Sequence, residues 1–160
     1  MPSSKTLKLS STSMKSATSR LSGHSHKVKS GNGYDLVICL LELLLSVKFY
    51  HWRTSSYSTH KATDELYGEL NDNIDEFAET LMGAMGARIP ATNKLHLTIP
   101  SDNKHMLSLL NRTVKMLAEF NFDKLSKSAH TTTTDLMNMR DEMVGQLHKT
   151  QYLLTLNGSK

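Results

Sequence analysis

Very little in this chain of 160 residues can cross-link, kink or break it. A single cysteine, Cys39, excludes an internal disulfide framework and any multi-cysteine zinc site. With only three prolines, 38% hydrophobic and 21% charged residues, the composition fits a helical domain better than a β-sandwich or a collagen-like chain. No long apolar run is present either. The most apolar stretch, Leu36 to Val47, is interrupted by Glu42 and followed by Lys48, too short and too charged to span a bilayer. The N-terminus lacks the apolar segment of a secretory signal. The expectation is an intracellular protein with no membrane partner.

Acidic residues are missing from one region altogether. Residues 1–30 carry six cations (Lys5, Lys8, Lys15, Arg20, Lys27, Lys29), ten serines and no Asp or Glu. The remaining 130 residues hold 13 Lys/Arg (19 less 6) against all 15 Asp/Glu, a net of −2. The basic character therefore belongs to the N-terminal part. Having almost nothing to bury, residues 1–32 are expected to form a disordered basic tail ahead of a folded domain at 33–157.

What is present from Tyr34 onward is helical periodicity. The first segment, Tyr34 to Ser56, is apolar nearly all round, so its own bundle and a partner subunit are both candidates to cover it. Ser55, Ser58 and Thr59 supply a turn and an N-cap. A second helix is expected from His60 to about Ala87, with the core stripe Leu66, Leu70, Ile74, Phe77 and Leu81. A linker with a short helical turn follows between Pro90 and Pro100. Two more helices follow, the first capped by Ser101 or Asp102 and carrying Met106, Leu110 and Leu117, the second carrying Leu136, Met143 and Leu147. The fold expected is all-α, a four-helix bundle.

Groups able to do chemistry gather at His51 and along the second helix: His60, Asp64, Asp75 and Glu79. At 100° per residue the last four share one face, about 130° from the core stripe. Asp64 and Asp75 lie roughly 16 Å apart along the axis, so they do not share a metal within one chain. The pairs His60/Glu79 and Asp64/Asp75 have a common midpoint between Glu69 and Leu70. Two antiparallel copies of this helix about a two-fold axis there would set His60 and Asp64 of one chain against Glu79 and Asp75 of the other. Gly68, beside the axis, permits close approach. Mixed imidazole and carboxylate ligands without thiolate suit iron, manganese or zinc. The plainer reading, a solvated acidic face, stands beside this one.

The run Phe49-Tyr50-His51-Trp52, followed by His60-x3-Asp64 and Asp75-x3-Glu79, resembles the Dps family of mini-ferritins. The resemblance implies a ferritin-like bundle assembled into a hollow dodecamer with di-iron sites across a two-fold interface. His51, His60 and Asp64 would come from one subunit, Asp75 and Glu79 from its neighbour. Fe(II) would be oxidised there by hydrogen peroxide and stored as ferric mineral, a ferroxidase activity protecting against oxidative stress. Trp52 and Lys48 would lie near the site. The nine-residue step from His51 to His60 is shorter than that family's usual spacing, which shortens the connecting turn.

The tail resembles, in composition, the lysine-bearing arms with which some Dps proteins bind DNA. Lys5, Lys8, Lys15, Arg20, Lys27 and Lys29 could each displace a counterion from a phosphate. A solubilising arm, an organelle-targeting segment and a contact within the particle are its other readings. Function therefore divides three ways: a ferroxidase and iron store, a non-catalytic DNA-binding particle, or a plain helical interaction module. The first two place the protein in the cytoplasm or a nucleoid-like compartment.

Overall fold

A computed structural model describes residues 32–92, 94–125 and 133–156. Among these residues there are four α-helices and no strand: α1 (Gly33–Arg53), α2 (Tyr57–Met85), α3 (Asn103–Glu119) and α4 (Thr134–Thr155). The all-α expectation holds. The tail expected at 1–32, with its six cations, falls outside the described residues except for Asn32. No helix among the described residues is long and apolar enough to cross a membrane.

Side-chain caps set three of the helix starts. Asn32 Oδ1 accepts the Tyr34 and Asp35 N–H groups, opening α1. Ser56 Oγ accepts the Thr59 N–H, so α2 begins three residues before the expected His60. Asp102 Oδ1 accepts the His105 N–H at 2.8 Å and opens α3. Each oxygen satisfies a donor that the first helical turn leaves without a partner. Gly86, at φ 61°, closes α2 in the left-handed conformation that glycine adopts without strain.

α1 packs on α2 and α3, and α4 packs on the same two, leaving α2 and α3 at diagonal corners. The expected stripe of α2 (Leu66, Leu70, Ile74, Phe77, Leu81) is buried, alongside Leu36, Leu40 and Val47 of α1 and Met106, Leu110, Met143 and Leu147. A 3₁₀ turn at Phe122–Leu125, absent from the sequence reading, closes one end of the core. Its Phe122 meets Phe77 edge-on at 6.3 Å and Phe120 at 4.8 Å.

α1 is wider in its apolar coverage than its own bundle uses. Opposite its core face, Ile38, Leu41 and Leu45 are half-buried, Phe49 is exposed and Trp52 is 64% exposed. The 87–102 connection, which forms no helical turn among its described residues, is fastened to this helix by Glu42. That buried carboxylate accepts the His96 N–H at 2.7 Å. Leu95, Leu97 and Ile99 remain exposed around the fastening point. Burial, reinforced by Glu42 and Asp35, pushes the nearby Cys39 thiol up to about 12.

Candidate metal centre

The turn between α1 and α2 is only three residues long, Thr54 to Ser56, and it folds the end of one helix against the start of the next. His51 and His60 consequently stack, with ring centroids 3.9 Å apart and planes 24° from parallel. His51 Nδ1 lies 3.0 Å from the His60 carbonyl oxygen, and His60 Nδ1 lies 3.2 Å from the His51 carbonyl oxygen. A carbonyl only accepts, so in both rings Nδ1 carries the proton and donates. With Nδ1 donating, the nitrogen of each ring that remains to face a cation is Nε2, one of the two atoms through which imidazole binds metals.

Thr63 reinforces the arrangement. Its hydroxyl donates to the Thr59 carbonyl at 2.8 Å and sits 3.4 Å from His51 Nδ1, backing the ring from inside the bundle. His51 is buried, with a side chain only 7% exposed, while Asp64 beside it is 50% exposed. His51 Nε2 and Asp64 Oδ1 stand 3.7 Å apart. That is too long for a hydrogen bond and close to the separation, about 3.4 Å, of two ligands sharing one ion at bond lengths near 2.1 Å. His51 Nε2 and the Asp64 carboxylate thus face each other where the α1–α2 hairpin reaches solvent.

Asp75 and Glu79 are exposed farther along α2, away from this cluster. Gly68 lies between, and a Cβ placed on it would meet nothing within 4 Å. Among the described residues, no group of three or more His, Cys, Asp or Glu side chains within the single chain could hold a metal ion. The structure stacks His60 on His51 and sets Asp64 beside His51, two pairwise contacts rather than a three-ligand site, and it keeps Asp75 and Glu79 apart from them.

The two flanking residues behave differently from each other. Trp52 projects into solvent and meets Phe49 edge-on at 5.7 Å. Lys48 places its ammonium 4.0 Å from the centre of the Tyr67 ring and 5.8 Å from that of Trp52. This cation–π contact engages the charge on aromatic faces. Thr63 escaped the sequence reading, and Tyr67 was given no role in it. The position of Thr63 on the buried side of α2, three residues after His60, was the available signal for the first.

Among the described residues the protein is all-α, four helices of which the first two form this hairpin. The model of a family described as "Family of unknown function (DUF5856)" matches residues 51–154. The chain belongs to that family. It is also 30% identical over 124 residues to the "Uncharacterized 14.6 kDa protein in mobD-ri intergenic region" of Enterobacteria phage T4. That match covers 72% of this chain and 85% of the phage protein. No solved structure matches.

These findings correct the resemblance to Dps: the family that matches most of the folded chain is a different one. The likeness rested on a few ligand-type residues at helical spacing. Such a pattern requires only one polar helix face and arises without common descent.

Proposed function

We propose that this protein binds Fe(II) between two copies of itself and oxidises it with hydrogen peroxide. The observation carrying the reading is the reciprocal His51/His60 pair, which directs both Nδ1 protons into carbonyls and leaves His51 Nε2 facing Asp64 Oδ1 at 3.7 Å. One chain supplies half a site. A second, antiparallel copy of α2 supplies Asp75 and Glu79, with Gly68 allowing close approach. The outer apolar residues of α1, Phe49 and Trp52 among them, favour burial against that copy.

The architecture of this reading is a ferritin-like bundle, paired into dimers and closed into a hollow homo-oligomer, a dodecamer in its fullest form. Iron is the substrate, and ferric mineral retained in the cavity is the product. Two ferrous ions deliver two electrons to one peroxide: 2 Fe(II) + H₂O₂ + 2 H⁺ gives 2 Fe(III) + 2 H₂O. The paired delivery avoids a one-electron step and the hydroxyl radical it releases. The carboxylates stabilise the higher charge on iron after oxidation, because hard oxygen ligands favour the harder ion. α2 itself carries seven acids (Asp64, Glu65, Glu69, Asp72, Asp75, Glu76, Glu79) and one lysine, Lys61. Two such helices repel one another unless cations lie between them.

The test is Fe(II) oxidation by stoichiometric peroxide, followed optically, with iron content measured on the eluted particle. Oxidation well above the buffer rate, with iron retained, is expected for the wild type. His60→Ala and Asp75→Ala homo-oligomers lose it, and co-assembly of the two variants restores part, because some interfaces then combine both intact halves. Wild-type oxidation no faster than in buffer removes the ferroxidase reading. Failure of the mixed assembly to recover removes the shared site.

A further inference from the structure

We propose that the outer face of α3 is a docking surface for the phosphate backbone of double-stranded nucleic acid. A shallow, open groove of about 590 Å³ runs along this helix, lined by Lys104, Leu107, Ser108, Asn111, Arg112 and Lys115. At 100° per residue Lys104, Ser108, Asn111, Arg112 and Lys115 fall within a sector of about 100°. The lining holds three cations, two neutral hydrogen-bonding side chains and no carboxylate. Lys115 pairs with Glu119 at 3.7 Å, a largely exposed contact that a phosphate can replace at little cost. Asn111 Oδ1 accepts from Gln151 Nε2 at 2.9 Å, which fixes the amide and leaves its NH₂ as a donor.

The rest of the molecule makes this face distinctive. The 130 residues beyond the first thirty have a net charge of −2, and the densest acidity lies on α2, at the corner diagonal to α3. A polyanion seated on α3 stays clear of those carboxylates. Lys104 and Lys115 are separated by a rise of about 16 Å, a length over which each strand of a duplex presents about five phosphates. Three cations then find phosphate partners in any sequence register, with Ser108 and Asn111 as neutral phosphate donors. The face lacks the aromatic anchors on which protein partners dock and on which single-stranded bases stack. A duplex requires neither. This surface uses none of the cations of residues 1–30 and does not depend on the iron chemistry.

The experiment titrates the full-length protein into a fluorescently labelled 30-base-pair duplex of random sequence at several salt concentrations. Neutralising the face (K104Q/R112Q/K115Q) is expected to weaken binding at least about tenfold and to reduce the salt slope by 2 to 3, near 0.9 per lost phosphate contact. K104R/K115R retains affinity. Helicity by circular dichroism checks the fold, and R112Q alone, expected to lower the slope by about 1, serves if the triple variant is unstable. The proposal is overturned if the wild type does not bind duplex, or if the triple variant binds with unchanged affinity and slope. It is equally overturned if neutralising Lys5, Lys8, Lys15, Arg20, Lys27 and Lys29 abolishes binding that the triple variant keeps. Competition by polyglutamate as strong per charge as by duplex assigns the face to acidic polypeptides instead.

Discussion

Asp102 shows how much a single side chain sets at the residue scale. Its carboxylate is held below the ordinary range chiefly by the His105 backbone N–H, then by the Ser101 hydroxyl and the His105 ring. A depressed carboxyl pKa stabilises the fold above the unfolded value, near 3.9, and the benefit fades as pH falls through the folded value. Asp102→Ala is therefore expected to lower the melting temperature at neutral pH, with the gap to wild type narrowing as pH falls below the ordinary carboxylate range. Asp102→Asn, which keeps an oxygen acceptor, recovers most of the loss at neutral pH. Thermal melts across pH read both. The Asp102 cap was legible from sequence, as Ser101 or Asp102 before an apolar period. The stacking of His51 on His60 was not, because residues nine apart meet only once a turn geometry is fixed.

Periodicity serves well for long elements and fails for short ones. Every residue of the α2 stripe is buried as its 3.6-residue repeat requires, since burial of one face is what keeps such a helix folded. The start of α2 was placed three residues late because Ser55, Ser56, Ser58 and Thr59 are chemically equivalent as caps; only the chain path selects Ser56. The 3₁₀ turn and the 87–102 connection carry no repeat at all, and contacts from distant helices decide them. Glu42 is the clearest such contact. Glu42→Ala removes a buried acceptor at a cost of about 1–3 kcal/mol, and exchange of the His96 amide hydrogen is expected to accelerate about tenfold or more. Glu42→Gln, which keeps a carbonyl acceptor, has the smaller effect. Hydrogen exchange read by NMR distinguishes a fastened connection from a merely adjacent one.

At the scale of the whole molecule, Gly68 reports on association. With nothing near its Cβ position in the single chain, Gly68→Ala is expected to stabilise the isolated helix by about 0.5–1 kcal/mol. In the proposed dimer the same methyl lies at the closest approach of two α2 helices. Sedimentation is expected to show weaker self-association while melts of the dilute monomer shift upward. A variant that melts higher with its association unchanged places the interface elsewhere. Gly33 marks the contrast, since its Cβ would fall 2.8 Å from Leu81 Cδ1 inside the core.

The amino-acid sequence by itself determined four helices, the face each turns inward, the acidic outer face of α2 and the concentration of cations before residue 31. These follow from a fixed helical repeat and from charge counting, both local. Only the tertiary structure decided that a three-residue turn stacks two imidazoles and fixes their tautomers, that Glu42 fastens the connection, and that α2 and α3 occupy opposite corners. The local ligand pattern pointed to Dps, whereas the match along 51–154 lies with another family. A helix face repeats the same spacing in any fold that solvates it, while the path of the chain between helices is set by contacts that no local repeat encodes.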